Sequence, residues 1–215
     1  MSAQNERPTL YYVYDPICGW CYGFSPVITS LADSYDDVLE CKAIPGGMIL
    51  GDRVGPVGEI APFIKDAYKR VEDMTGVKFG QDYLDDLFNE GLTVMNSWPG
   101  SLAATAFNEL APEHSIAYAS AIQKAIYADG VSPENIDNFI QLAVAFEVDT
   151  NTLRAMTKDK AWHEKTIENF KLSSDLGVTG FPTLVLEKHG ERTIITRGYA
   201  DRQRIEEKLN AHLMK

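Results

Sequence analysis

Hydrophobic positions change their rhythm twice along the chain. Thr9-Leu10-Tyr11-Tyr12-Val13-Tyr14 is a β-branched and aromatic run between Pro8 and Asp15-Pro16, the pattern of a buried strand. Behind it, Phe24, Val27, Ile28 and Leu31 recur at the spacing of one helix face, with a kink expected at Pro26. Val38 to Ile44 reads as a second strand, closed by Pro45-Gly46-Gly47. Strand, helix and strand in this order predict a right-handed βαβ unit.

From about Pro56 to Leu176 the period becomes helical. Val57, Ile60, Ile64, Ala67, Val71 and Met74 form one stripe ended by Gly76, a residue suited to close a helix. An Ala-rich helix is predicted over 102–110 before Pro112, and another over 115–129 before Gly130. Ser132-Pro133-Glu134 reads as a helix start, with the hydroxyl capping and proline in the first position. Its apolar face would be Ile136, Phe139, Ile140, Ala143 and Val144. Helices over 149–157 and 161–176 complete the block.

Strand rhythm then returns in Thr183-Leu184-Val185-Leu186 and Arg192-Thr193-Ile194-Ile195-Thr196, around a turn at Glu187-Lys188-His189-Gly190. Asp201 is placed to cap a last helix carrying Ile205, Leu209 and Leu213. The sum is βαβ, a helical block, then ββα. One discontinuous domain over 1–50 and 177–215, interrupted by an inserted helical domain over 51–176, is the expected organisation.

Composition narrows the function. An apolar fraction of 45% and a charged fraction of 24% over 215 residues suit a folded globular chain. Twenty Lys and Arg against 31 Asp and Glu leave a net charge of −11, which argues against nucleic acid and anionic membrane surfaces as partners. No stretch approaches the ~20 apolar residues of a membrane span. Met1 to Pro8 shows neither a basic region leading into an apolar run nor a cleavage site, so a cytoplasmic location is expected. Three cysteines are too few for a disulfide framework.

Two of those cysteines form Cys18-Gly19-Trp20-Cys21. The pair falls just after a strand, at the first turn of a helix, where free N–H groups and the helix dipole stabilise an anion. Such a setting favours a thiolate at the first cysteine. Cys18 is therefore the candidate nucleophile and Cys21 the resolving thiol. A closed zinc site would need two further ligands. Cys41 and the isolated His114, His163, His189 and His212 supply no pair at ligand spacing, so no metal is expected. Cys41 lies mid-strand, where a small buried hydrophobe is the ordinary role.

Gly180-Phe181-Pro182-Thr183 immediately precedes a strand. Alone it reads as a turn; with an upstream C-x-x-C helix it has the form of the cis-proline loop of thioredoxin folds. Phe181 and Pro182, with Gly19 and Trp20, are the candidate substrate-contacting residues. Such a loop would let the Phe181 backbone pair with an extended substrate. Trp20 is equally suited to touch substrate or to pack over the helix start. Trp98 and Trp162 are expected in the core. Asp15 is read as a strand-end residue satisfying turn amides, with a proton relay for Cys21 as the second reading.

The motifs Tyr14-Asp15-Pro16-Ile17-Cys18-Gly19-Trp20-Cys21-Tyr22-Gly23-Phe24-Ser25-Pro26, Gly46-Gly47-Met48, Gly177 to Leu184 and Gly198-Tyr199 together resemble the DsbA superfamily, in its signal-less, predicted cytosolic disulfide-isomerase branch. That resemblance covers essentially the whole chain. It implies an α/β thioredoxin fold with a large all-helical insertion and dithiol–disulfide exchange on proteins or small thiols. It also implies no bound cofactor, with glutathione as a co-substrate at most, and recycling by a thioredoxin or glutathione system. The sequence departs from periplasmic oxidases of that superfamily, which carry Pro-His between the cysteines. Gly19-Trp20 brings no charge to the thiolate, which favours a reductase or isomerase over an oxidase. Hydroxychromene-carboxylate isomerases and kappa-class glutathione transferases are similar in architecture, but they replace one or both cysteines that are retained here. A non-enzymatic adaptor binding through the insertion is the third reading.

Overall fold

The computed structural model describes residues 7–86 and 91–214, without the side chains of 60–63 and 65. Its main sheet has the strand order β2-β1-β5-β6, from β1 (Thr9–Tyr14), β2 (Glu40–Pro45), β5 (Thr183–Lys188) and β6 (Glu191–Arg197). β1 is central. It pairs in parallel with β2, from Thr9 opposite Glu40 to Tyr14 opposite Pro45. Its other edge pairs antiparallel with β5, from Thr9 opposite Glu187 to Val13 opposite Thr183.

Alternation along β1 divides the core between the two faces of the sheet. Leu10, Tyr12 and Tyr14 are buried with Phe24, Ile28 and Leu31 of α1 (Gly19–Ser34) and with Ile205 and Leu209 of α9 (Arg202–Leu213). Val13 faces the other way, onto Ile44, Val185 and Leu176. β5 and β6 meet in a two-residue turn at His189 and Gly190, with φ of 53° and 79°. Positive φ at both positions is what a tight hairpin of the primed type requires.

Between β2 and β5 run β3 (Gly55–Pro56), α2 (Val57–Thr75), α3 (Gln81–Asp85), β4 (Val94–Met95), α4 (Trp98–Leu110), α5 (Ser115–Tyr127), α6 (Ile136–Leu142), α7 (Thr150–Lys158) and α8 (Lys160–Asp175). β3 and β4 form a two-stranded sheet of their own. The chain is thus mixed α/β, a central sheet with a helical insertion. α4 is buried from Pro99 to Phe107, and Phe107 stacks on Tyr118 of α5 with ring centroids 3.7 Å apart.

Several sequence expectations shift in place. Val38 is exposed and β2 begins at Glu40, because Leu39 is the residue that turns inward. α4 starts at Trp98, four residues before the predicted helix, since Pro99 fits the first turn. The start signal at 132–134 does not open α6; the Asn135 side chain caps it instead, accepting from the Asp137 amide. α3, β3 and β4 are too short to leave a pattern. Met74 is exposed, and Ile60 lies outside the described side chains. Trp98 and Trp162 are half-buried and not fully buried: Trp98 packs beside His163, and Trp162 packs against the edge of the helical core, with the Lys165 ammonium 4.6 Å from its ring. Cys41 is also only partly buried.

Candidate active site

Helix α1 begins one residue after Cys18, which serves as its N-cap with extended backbone (φ −96°, ψ 108°). A sulfur here takes the place of the oxygen that usually caps a helix: the Cys21 amide donates to Cys18 Sγ at 3.4 Å. Cys18 Sγ in turn reaches the Phe181 carbonyl at 3.7 Å. All three cysteines are free thiols. Cys18 is 5% exposed and Cys21 fully buried, so the order of access expected from the sequence is kept while both are sheltered. Burial pushes the Cys21 thiol well up, and the hydrogen bond and charge of Cys18 add to the rise. Burial likewise raises Cys41, to about 11.

Opposite the helix start runs the loop before β5. Its Phe181–Pro182 peptide is cis. The Pro182 carbonyl accepts from the Gly198 amide at 2.7 Å, and Thr183 Oγ1 donates to the Gly180 carbonyl at 2.7 Å. Gly198 has φ 75°, and the following Tyr199 meets Phe24 edge-on at 6.2 Å. The Phe181 ring fills the space above Gly46, where a Cβ would come within 2.1 Å of Phe181 Cε1. Only glycine at 46 lets the two segments approach this closely.

Beneath the pair lies Asp15, fully buried. Its Oδ1 accepts from the Ile17 amide at 3.0 Å and from the Ser97 hydroxyl at 2.9 Å. Its Oδ2 accepts from the Met48 amide at 2.6 Å. Burial raises its pKa to about 6, against the lowering effect of those donors. The Asp15 carbonyl takes the Cys18 amide and Gln123 Nε2, and Gln123 Oε1 accepts from Ser25 of α1 at 2.6 Å. Gly46-Gly47-Met48 thus has a local explanation: room for Phe181, a left-handed turn at Gly47 (φ 70°), and an amide delivered to Asp15.

The model of the DSBA-like thioredoxin domain matches residues 9–210. The chain belongs to this family. It is similar over 97% of its length to 98% of a Nitrosomonas europaea protein assigned as a protein disulfide isomerase, at 26% identity and TM-score 0.86. It also resembles the cytosolic disulfide reductase DsbM of Pseudomonas aeruginosa, at 26% identity and TM-score 0.76 over 96% of this chain and 98% of that one. DsbM is known in a second structure with glutathione. A 2-hydroxychromene-2-carboxylate isomerase shares the fold at 15% identity and TM-score 0.62, over 95% and 94% of the two chains. No curated protein sequence matches the chain. DsbA-like thioredoxin proteins work without a cofactor. Among the described residues no group of His, Cys, Asp or Glu could hold a metal ion.

Within this DSBA-like frame, Cys18, Cys21 and Phe181 are brought together. Gly19 and Trp20 are half-buried and, with Cys18, line a neighbouring cavity; Trp20 also packs against the cluster that holds Cys18 and Cys21. That cavity, about 220 Å³, is walled by Cys18 and Gly19 on one side and by Tyr68, Val71, Phe79 and Met95 on another. A larger hollow of about 460 Å³ lies around Cys41, remote from Cys18. Sequence reasoning missed Ser97 and Gln123. Both are uncharged and carry no motif, Ser97 just before α4 and Gln123 within α5.

Proposed function

We propose that this chain is a cytoplasmic thiol–disulfide oxidoreductase that reduces or isomerises disulfides through Cys18 and Cys21. Cysteine-containing proteins or small thiols are its substrates. The observation that carries the reading is Cys18 Sγ at a helix N-cap, receiving the Cys21 amide and facing the Phe181 carbonyl. The N–H on the sulfur fixes Cys18 Sγ at the start of the helix, one turn from the Cys21 sulfur that resolves the mixed disulfide.

In the reductive direction, Cys18 attacks one sulfur of the substrate disulfide. A Cys18–substrate bond forms as the substrate S–S bond breaks, and the departing thiolate takes a proton from solvent. Cys21 gives up its proton and attacks Cys18 Sγ. The internal disulfide forms, the second substrate thiol leaves, and two electrons have passed to the substrate. Cys21 is held protonated by burial first and then by its hydrogen bond to Cys18, with any charge on Cys18 adding to both. The mixed disulfide removes that charge, so Cys21 ionises more readily at the step that needs it. An external dithiol, or two glutathione molecules, restores the pair.

Substrate contacts fall to Gly19, Trp20, Phe181 and Pro182. The Phe181 carbonyl, released from Cys18 in the mixed disulfide, is free to accept from a substrate amide. Gly19-Trp20 places no cation beside the sulfurs, which supports a reductase or isomerase. The cytosolic disulfide reductase DsbM among similar structures supports the same direction and compartment, and its glutathione-bound form supports glutathione as the recycling thiol. Two retained cysteines favour exchange over the glutathione-dependent isomerisation of proteins that share only the fold. Insulin reduction, with dithiothreitol as reductant, tests the reading. Cys18→Ser should abolish catalysed turbidity; a variant as fast as the parent overturns it.

A further inference from the structure

We propose that Gln123 is a positioning residue for the exchange, holding the main chain of both cysteines so that Cys18 and Cys21 close readily into a disulfide. The inference rests on the exchange reading above and adds a residue of the helical insertion to it. Gln123 is fully buried on α5. Its Nε2 donates at 3.3 Å to the Asp15 carbonyl, the oxygen that also takes the Cys18 amide at 3.2 Å. Its Oε1 accepts from the Ser25 hydroxyl at 2.6 Å, and Ser25 Oγ lies 3.2 Å from the Cys21 carbonyl. Gln123 also meets the Tyr12 hydroxyl, which donates to that same carbonyl at 3.5 Å. One amide is thus one group away from the main chain of each cysteine.

The turn it holds needs support from outside its own helix. Pro26, inside α1, has no N–H to give the Tyr22 carbonyl, so the turn carrying the cysteines is tied to the rest of the helix by one bond fewer. α5 is a firm base from which to supply that support. Thr29 of α1 and Ser120 of α5 share a hydrogen bond at 3.2 Å, and Ile116 and Ala119 are buried in the cluster of Cys18 and Cys21. Packing alone does not call for an amide here, since apolar groups of the same shape can replace a buried hydrogen-bonded pair at little cost. They cannot fix the direction of two carbonyls.

Fixing this turn acts on the resolving step. There Cys21, having given up its proton, attacks Cys18 Sγ; the Cys18–Cys21 bond forms as the Cys18–substrate bond breaks and the substrate thiolate leaves. The step is faster, and the disulfide more stable, the less freedom the two sulfurs lose on meeting. In the reduced chain they already share a hydrogen bond, beside the Cys21 amide on Cys18 Sγ at 3.4 Å. A loosened turn would lower the effective concentration of Cys21 at Cys18, make the pair more oxidising and lengthen the life of the mixed disulfide.

Gln123→Leu and Ser25→Ala, in the full-length protein, test this. Parent and variants are equilibrated with reduced and oxidised glutathione, and the disulfide fraction is read by mass after acid quenching and alkylation. In Gln123→Leu the equilibrium constant for the Cys18–Cys21 disulfide should fall about tenfold, a shift of about 30 mV toward a more oxidising pair. Ser25→Ala should shift the same way by a smaller factor, and it decides the matter alone where Gln123→Leu does not fold. A merely structural Gln123 would weaken the dithiol and disulfide forms equally against urea and leave the potential in place. A potential unchanged in the variants, or moved in the reducing direction, overturns the proposal while leaving the exchange reading standing. A parent that forms no Cys18–Cys21 disulfide at any glutathione ratio overturns both.

Discussion

Asp15 sets two large effects against each other, and their balance is measurable. Removal from water favours the neutral acid, while the Met48 and Ile17 amides and the Ser97 hydroxyl favour the carboxylate. Burial wins, carrying the pKa from 3.8 to about 6. A folded-state value above the unfolded one means that the native chain binds a proton the unfolded chain has lost. Its stabilising contribution is fully present below pH 3.8 and is lost as pH rises through about 6. The gap corresponds to about 3 kcal/mol, of which about 2 kcal/mol disappears between pH 4.5 and 7.5. Asp15→Asn removes the titration. Whichever way its amide is set, the NH₂ group faces a backbone N–H, so the variant is weakened by an amount that does not vary with pH. The difference in unfolding free energy between parent and Asp15→Asn should therefore fall by about 2 kcal/mol across that window. Urea unfolding of both, followed by far-UV circular dichroism at each pH, gives the difference with other titrations cancelled. A flat difference would show that the donors offset burial, and one that rises with pH that they outweigh it; either refutes the reasoning.

Two further expectations concern the sulfurs and the loop that faces them. Cys18 should alkylate at least tenfold faster than Cys41 at pH 7 although Cys41 is the more exposed, because a thiol pushed up to about 11 is only about one part in 10⁴ thiolate there; peptide mass mapping after brief iodoacetamide treatment decides this, and faster labelling of Cys41 would count against Cys18 as the nucleophile. Gly46→Ala should cost about 1–3 kcal/mol, because its Cβ meets the Phe181 ring at 2.1 Å, and should slow insulin reduction by shifting the carbonyl that Cys18 contacts; unaltered stability and rate would show that the close approach has no consequence.

The parts of this molecule that were legible in the sequence are those fixed by neighbours. β1 could be read because six consecutive β-branched, aromatic and aliphatic residues must be buried somewhere. The Cys18 helix start could be read because a strand, a Pro and an apolar stripe bracket it. The hairpin turn could be read from its glycine, although the two positive-φ residues narrow it to His189 and Gly190. The rest was set by partners far along the chain. Ser97 is 82 residues from the carboxylate it donates to, and Gln123 is 108 residues from the carbonyl it reaches. Nothing local marks either as different from a surface Ser or Gln. Trp98 and Trp162 were placed too deep for the same reason: ring size predicts full burial, whereas His163 beside Trp98 and Lys165 over Trp162 suit rings at the edge of the core.

Those distant partners show why a helical block inside a DSBA-like thioredoxin domain is more than a covering. Ser97 opens α4, Gln123 lies on α5, and both end on Asp15, the residue that also holds the Cys18 amide. Ile116 and Ala119 of α5 are buried in the same cluster as Cys18, Cys21 and Phe24. A buried carboxylate without a cation nearby is tolerated only when donors surround it. Here one donor comes from the turn before Cys18, one from the segment after β2, and one from the helical block. Loss of the last removes one of the hydrogen bonds that lower the carboxyl pKa in a fully buried site, which raises that pKa further. The electrostatics beneath the cysteine pair are therefore set in part by residues that a sheet and two helices alone would not contain.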